Sequence, residues 1–204
     1  WNPVDTIWDS GTSLRLSQAK EAGIRIVCID PRYSNSAAVL ANQWIPIRPG
    51  TDTAMLIAMA YVIIKESLLD QKFLDAYTIG FQEFKNYVTG AEDNLAKTPS
   101  WAESVTGVPA ATIENLAREY ATTKPAALIA GWAPGRTSHG EQFHRAAMAL
   151  AAMTGNIGIL GGNAPGWEGG YPSLWKLKGL PTGKNPVLDG VSLRKGDVPI
   201  RQAT

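Results

Sequence analysis

The sequence is poor in the residues that build cross-links and metal centres. Cys28 is its one cysteine, and His139 and His144 are its two histidines, in 204 residues. A single cysteine excludes an internal disulfide and any cysteine-ligated cluster or zinc site made by this chain alone. The histidines lie five apart, outside the i,i+4 spacing of a helical metal pair, and no Glu-x-x-His completes a set. Ser138-His139 has no convincing third partner for a catalytic triad. Neither sign of charge dominates: 19 Lys and Arg against 18 Asp and Glu leave a net charge of +1, which argues against an extended nucleic-acid surface. No apolar run reaches the roughly 18 residues of a membrane span. The longest, Ala54 to Ile64, ends in Lys65-Glu66, and the mean hydropathy is −0.10. The opening Trp1-Asn2-Pro3 lacks both an initiator Met and a signal peptide. The expectation is a piece of a longer polypeptide.

What is present suits a packed domain. Hydrophobic residues make up 45% of the chain, enough for a sizeable core. Thr12 to Ala22 reads as a short amphipathic helix stopped by Gly23. Ile24 to Ile29 is β-branched and almost continuously apolar, the pattern of a strand buried on both faces of a parallel sheet, and it ends at Asp30-Pro31-Arg32. A second short strand, Trp44 to Ile47, ends at Arg48-Pro49-Gly50. Helices are predicted from Thr51 or Asp52 to about Ser67, over Asp70 to Tyr77 and Phe81 to Val88, from Thr98-Pro99 onward, and over Pro109 to Thr122 and Glu141 to Met153. Ala126 to Ala130 is read as a further buried strand. Strands alternating with helices predict an α/β fold, Rossmann-like and doubly wound, with a mostly parallel sheet flanked by helices. Residues 161–204 are rich in Gly and Pro without periodicity, so the expected division is an α/β domain over 1–160 and a loop-rich C-terminal extension over 161–204.

Open parallel sheets bind ligands at the carboxyl ends of their strands, and three predicted strand ends carry unusual polar groups. Asp30 can accept from a ribose diol or a base amine, with Arg32 nearby to fork onto a phosphate; the competing use is a turn cap. At Pro49-Gly50-Thr51-Asp52, Gly50 permits close backbone approach and the following helix start offers free amides. The two acceptor oxygens of Asp52 match guanine N1–H and N2–H2, a donor pair that adenine lacks on that edge. Helix capping is the alternative there. Gly131-Trp132-Ala133-Pro134-Gly135-Arg136 offers a flat indole face and a cation, or a Trp that anchors a loop. Thr154-Gly155-Asn156-Ile157-Gly158 follows a helix and has neither a Walker lysine nor a G-x-G-x-x-G register, so helix-terminating glycines account for it. Cys28, inside an apolar strand, is read as an inert core residue.

In this order, Asn2-Pro3, Ile29-Asp30-Pro31-Arg32, Ile47 to Asp52, Gly131-Trp132 and Thr154 to Gly158 resemble the molybdopterin oxidoreductases, and within them the dimethyl sulfoxide reductase group. Asp70 to Leu74 and Lys97 to Ala102 add to the likeness, which extends over residues 1 to about 163. The resemblance implies a molybdenum bis(molybdopterin guanine dinucleotide) cofactor, one of whose guanosine diphosphate tails this domain would hold. Asn2 and Pro3 would end a first strand, and Ile29, Asp30 and Arg32 would meet the ribose or guanine. Pro49, Gly50, Thr51 and Asp52 match the segment that meets the guanine, while Trp132, Ala133 and Arg136 match a loop on the pterin side. The family usually has Gly where Ala133 stands. No residue here matches the family's metal ligand, so no catalytic or metal-binding residue is assigned.

The implied parent enzyme reduces S-oxides or N-oxides such as dimethyl sulfoxide in anaerobic respiration. It would carry a 4Fe-4S cluster in its amino-terminal part and further domains in its catalytic subunit. An iron–sulfur electron-transfer subunit and a membrane anchor would be its partners, on the periplasmic side of the cytoplasmic membrane. A free-standing nucleotide-binding module without redox activity and a structural interaction domain are the alternatives.

Overall fold

The computed structural model describes residues 2–5 and 11–163. Its elements in chain order are α1 (Thr12–Glu21), β1 (Val27–Ile29), α2 (Asn35–Leu40), β2 (Gln43–Ile45), α3 (Asp52–Lys65), α4 (Gln71–Tyr77), α5 (Phe81–Thr89), α6 (Pro99–Thr106), α7 (Ala110–Thr122) and α8 (Glu141–Met153). A 3-10 turn at Pro134–Arg136 precedes α8.

The core is built around α3. Its sequence is apolar on nearly every side, so it has to be covered all round, and Met55 to Ala60 and Val62 to Ile64 are all buried. The covering elements are α5, α6, α7 and α8, which contribute Val88, Ala102, Ile113, Ala117, Leu150 and Met153. Local signals start and stop these helices. Thr98 Oγ1 accepts from the Trp101 N–H at 3.1 Å, with Pro99 in the first turn, and Gly107 ends α6 at φ +74°. Asp70 caps α4 by accepting from the Phe73 N–H at 3.0 Å.

The strands β1 and β2 pair in parallel, Val27 with Gln43 and Ile29 with Ile45, joined by the six-residue α2. The α/β class and the parallel pairing are as expected, and among the described residues the sheet has these two strands alone. Two expectations need correction. The segment read as a fully buried strand pairs only over Val27–Ile29 and is half-buried, because no third strand flanks it among the described residues. Ala126 to Ala130 forms no strand and has no ladder partner there. The Ala126 and Leu128 N–H groups donate instead to the side-chain oxygens of Asn156 and Asn163, at 3.1 Å each. Its alternation survives: Leu128 and Ala130 pack on the core, while Ile129 is exposed. The predicted extension over 161–204 falls outside the described residues from 164 onward.

Candidate functional site

The chain leaves β2 through Ile47 and turns at Arg48 to enter α3. Arg48 fixes this turn to the end of α6: its N–H donates to the Thr106 carbonyl at 2.9 Å, and its guanidinium donates to the carbonyls of Ser104 at 2.8 Å and Val105 at 3.1 Å. A cation on the last carbonyls of a helix is favourably placed. The Thr51 hydroxyl closes the turn by donating to the Arg48 carbonyl at 2.7 Å. Thr51, at the N-cap, makes no side-chain bond to the amides of α3. Gly50, at φ +77°, supplies the left-handed residue the turn requires.

Facing this turn is the loop that leads into α8. Hydrogen bonds from the Arg136 N–H to the Ala133 carbonyl, from the Thr137 hydroxyl to the Pro134 carbonyl and from the Gly140 N–H to the Thr137 carbonyl fold it tightly. A Cβ on Gly140 would stand 2.5 Å from the Pro134 oxygen, and one on Gly135 would stand 2.7 Å from His144 Nε2. Gly140, which faces backbone atoms, is therefore required by close packing, whereas the exposed His144 side chain can turn away from Gly135. His139 sits in the left-handed region at φ +57°, an uncommon conformation for a residue with a side chain.

Between turn and loop lies an open cleft of about 280 Å³. Gly50, Thr51 and Asp52 form one side, and Thr137, Ser138, His139 and Gln142 another. Tyr87, Trp101, Val105 and Ile57 supply apolar surface from α5, α6 and α3. A few polar groups converging on an apolar and aromatic wall are the usual make-up of a small-molecule site. Burial raises the Asp52 carboxyl above its ordinary pKa of 3.8, and the nearby negative charge of Asp30 adds to the effect. The carboxyl ends of both strands thus bring two carboxylates into electrostatic reach of each other.

The other predicted residues lie outside this cleft. Asp30 accepts from the Arg32 N–H at 2.9 Å, the turn-cap geometry, while Arg32 and Pro49 point to solvent. Ile29 pairs with Ile45 and packs on the core. The Asn2 side chain accepts from the Ser36 N–H and hydroxyl at the start of α2, and Pro3 is buried with its carbonyl accepting from Ser13. Trp132, Ala133 and Arg136 are exposed, next to the cleft loop in sequence. Sequence reasoning missed Thr137 to Gly140, Gln142, Tyr87, Trp101 and Val105. The cue within reach was Pro-Gly at 134–135 followed by Gly140, which marks a tight loop longer than the stretch read as the site. Cys28, expected in the core, is half-buried on β1, and burial with the nearby Asp30 charge pushes its thiol up. Among the described residues no group of three His, Cys, Asp or Glu side chains gathers to hold a metal.

Parallel strands feeding helices, with an open cleft at the start of α3, define an α/β domain with a candidate site. The molybdopterin oxidoreductase family is matched over residues 6–194, and the chain belongs to that family. It is 44% identical over 207 residues to dimethyl sulfoxide reductase DmsA of Escherichia coli strain K12, which covers 94% of this chain and 25% of that protein. It is 36% identical over 184 residues to a dimethyl sulfoxide/trimethylamine N-oxide reductase of Cereibacter sphaeroides, covering 90% of this chain and 22% of that one. Among solved structures it is similar to acetylene hydratase from Pelobacter acetylenicus, with TM-score 0.62 and 29% identity over 70% of this chain and 19% of that chain. The chain spans about a quarter of the length of the curated relatives it matches.

Proposed function

We propose that this chain holds the guanine nucleotide end of a molybdopterin guanine dinucleotide within a molybdenum oxidoreductase that reduces S-oxides or N-oxides such as dimethyl sulfoxide. The observation that carries the reading is the start of α3 at Gly50–Asp52, opening into a cleft with aromatic and hydroxyl-bearing walls. The residues fit the group. Asp52 presents two acceptor oxygens to the N1–H and N2–H2 of guanine, and the first-turn amides and dipole of α3 favour a negatively charged neighbour. Tyr87 and Trp101 offer flat surface to a base, an interaction worth about 1–3 kcal/mol per base in nucleic-acid sites. At about 280 Å³ the cleft is near the small end of ligand pockets, roughly 300–1,000 Å³, so it suits one base with part of its sugar.

When bound, the cofactor supplies the redox chemistry, and this chain's residues bind and orient its tail. S-oxide and N-oxide reduction is drawn from the relatives' names. The same reading assigns the metal ligand, a 4Fe-4S cluster and the electron-transfer and anchoring subunits to parts outside this sequence. It places the enzyme on the periplasmic side of the membrane, the nucleotide site in residues 1–160, and contacts with further domains in 161–204. A free-standing nucleotide module is disfavoured by a family match running through residue 194.

Titration of the chain with GDP, with ADP as control, tests the reading by NMR. Guanine-selective shifts are expected at Gly50–Asp52, Tyr87 and Thr137–Gly140. Equal shifts with both nucleotides, or none at these residues, would overturn the assignment.

A further inference from the structure

Lys97 is 2% exposed, an unusual place for an ammonium group. A buried charge persists only where it is paired and hydrogen-bonded, and the partners of Lys97 Nζ lie in the last turn of α5 and in the connection from α5 to α6. The ammonium donates to the Tyr87 carbonyl at 3.4 Å, to the Leu95 carbonyl and to the Asp93 carboxylate, and it lies 4.4 Å from the centroid of the Tyr87 ring. Its own N–H donates to the Val88 carbonyl at 2.9 Å. The connection is folded so closely that a Cβ on Gly90 would stand 2.5 Å from the Ala96 nitrogen. The next residue, Thr98, caps α6 by accepting from the N–H of Trp101. Tyr87 and Trp101 are the aromatic residues that line the cleft.

We infer that Lys97 is a positioning residue for the cleft: its buried ammonium holds the Tyr87 ring, and through the adjoining Thr98 cap the Trp101 indole, as the aromatic surface against which a purine lies. This rests on the nucleotide reading above. Lys97 itself does not line the cleft and acts through the rings. A cation facing an aromatic ring contributes about 0.5–2 kcal/mol, more where it is desolvated, so the restraint on Tyr87 is of a size that binding can report.

The test measures GDP affinity of the full chain by calorimetry for wild type, Lys97→Met, Tyr87→Leu and the double variant. Lys97→Met is expected to weaken GDP binding about 3- to 10-fold. It will also lower Tm, as any loss of a buried pair would, so the cycle carries the decision. In the Tyr87→Leu background the ring is already gone, and Lys97→Met is expected to change GDP affinity less than about twofold. Equal weakening in both backgrounds overturns the proposal, and so does an unchanged affinity in Lys97→Met alone. Should Lys97→Met fail to fold, Asp93→Asn loosens the same ammonium from an exposed position. It is expected to weaken GDP binding in the wild-type background and not in Tyr87→Leu; no change in either overturns the proposal. A wild-type chain that does not bind GDP rejects the nucleotide reading and this inference with it. Binding by wild type with unaltered variants rejects the role of Lys97 alone.

Discussion

At Gly50 the chain needs a left-handed residue, and the space around it separates two possible costs of substitution. An added Cβ would meet Thr137 at 3.7 Å, an ordinary contact, so Gly50→Ala is limited by the backbone. Holding alanine at φ +77° costs about 1–2 kcal/mol, and urea unfolding should show a loss of that size. A loss well above it would mean that the turn is displaced against Thr137. Asp52 raises a question of sign. Burial lifts its carboxyl above the ordinary 3.8, so between 3.8 and the raised value the folded chain keeps a proton that the unfolded chain has released. Its contribution to stability therefore falls as pH rises through that window. Pairing with guanine needs the ionised form and runs the other way, with GDP affinity rising over the same window. Asp52→Asn should remove this part of both dependences, leave stability at neutral pH equal or higher, and reduce discrimination between GDP and ADP. A good bidentate pair is worth about 1–3 kcal/mol of discrimination, so the selectivity should fall at least fivefold. Unchanged selectivity in the variant would show that the carboxylate does not read the base.

Elements show where the sequence was informative. A long apolar stretch announced α3, 3–4 spacing announced α7, an Ala-rich run announced α8, and the cap at Thr98 marked the start of α6, because these signals are local. The six residues of α2 span less than two turns, too short for a 3.6-residue period to register, and its capping Ser34 was the available cue. The strand expected at Ala126 to Ala130 failed for a non-local reason: an apolar alternation records which side faces the core and not which neighbour takes the hydrogen bonds. Asn156, fully buried, takes one of them, accepting from the Ala126 N–H while donating to the Thr154 hydroxyl at 2.9 Å. The Thr154-Gly155-Asn156 motif is thus a structural fastener. Gly155, at φ +62°, stands where a Cβ would come within 2.2 Å of Asp70 Oδ2. Of the site, the Gly50–Asp52 half was legible because turn and helix start are contiguous in sequence. Tyr87 and Trp101 were not, since only the packing of α5 and α6 on α3 brings them to the cleft. Asn156→Ala should leave the Ala126 N–H without its acceptor and cost about 1–3 kcal/mol. Hydrogen exchange would accelerate over Ala126 to Ala130 with GDP affinity unchanged, whereas weaker GDP binding would make the motif part of the site.

Over the whole molecule, α3 unites stability and ligand contact in one helix. Its first residues meet the cleft, while Met55 to Ile64 form the centre of the core. A ligand bound only by the folded chain adds RT ln(1 + [L]/Kd), about 2.7 kcal/mol at a hundredfold excess over Kd, whatever the starting stability. Ile63 is fully buried eleven residues beyond Asp52, which at 1.5 Å per residue is about 16 Å along the helix. Ile63→Ala should cost about 2–5 kcal/mol through lost burial and the cavity it leaves. The two effects should add, because sites so far apart with no shared partner rarely couple by more than about 0.5 kcal/mol. Unfolding of wild type and Ile63→Ala with and without GDP would then show the same increment in both. An increment reduced in the variant would mean that the helix shifts as a rigid rod when its far end is hollowed, moving Asp52 relative to the loop at Thr137–Gly140. The geometry argues for addition: Arg48, bonded to the end of α6, and the closed turn at Thr51 fix the start of α3 independently of the packing around Ile63.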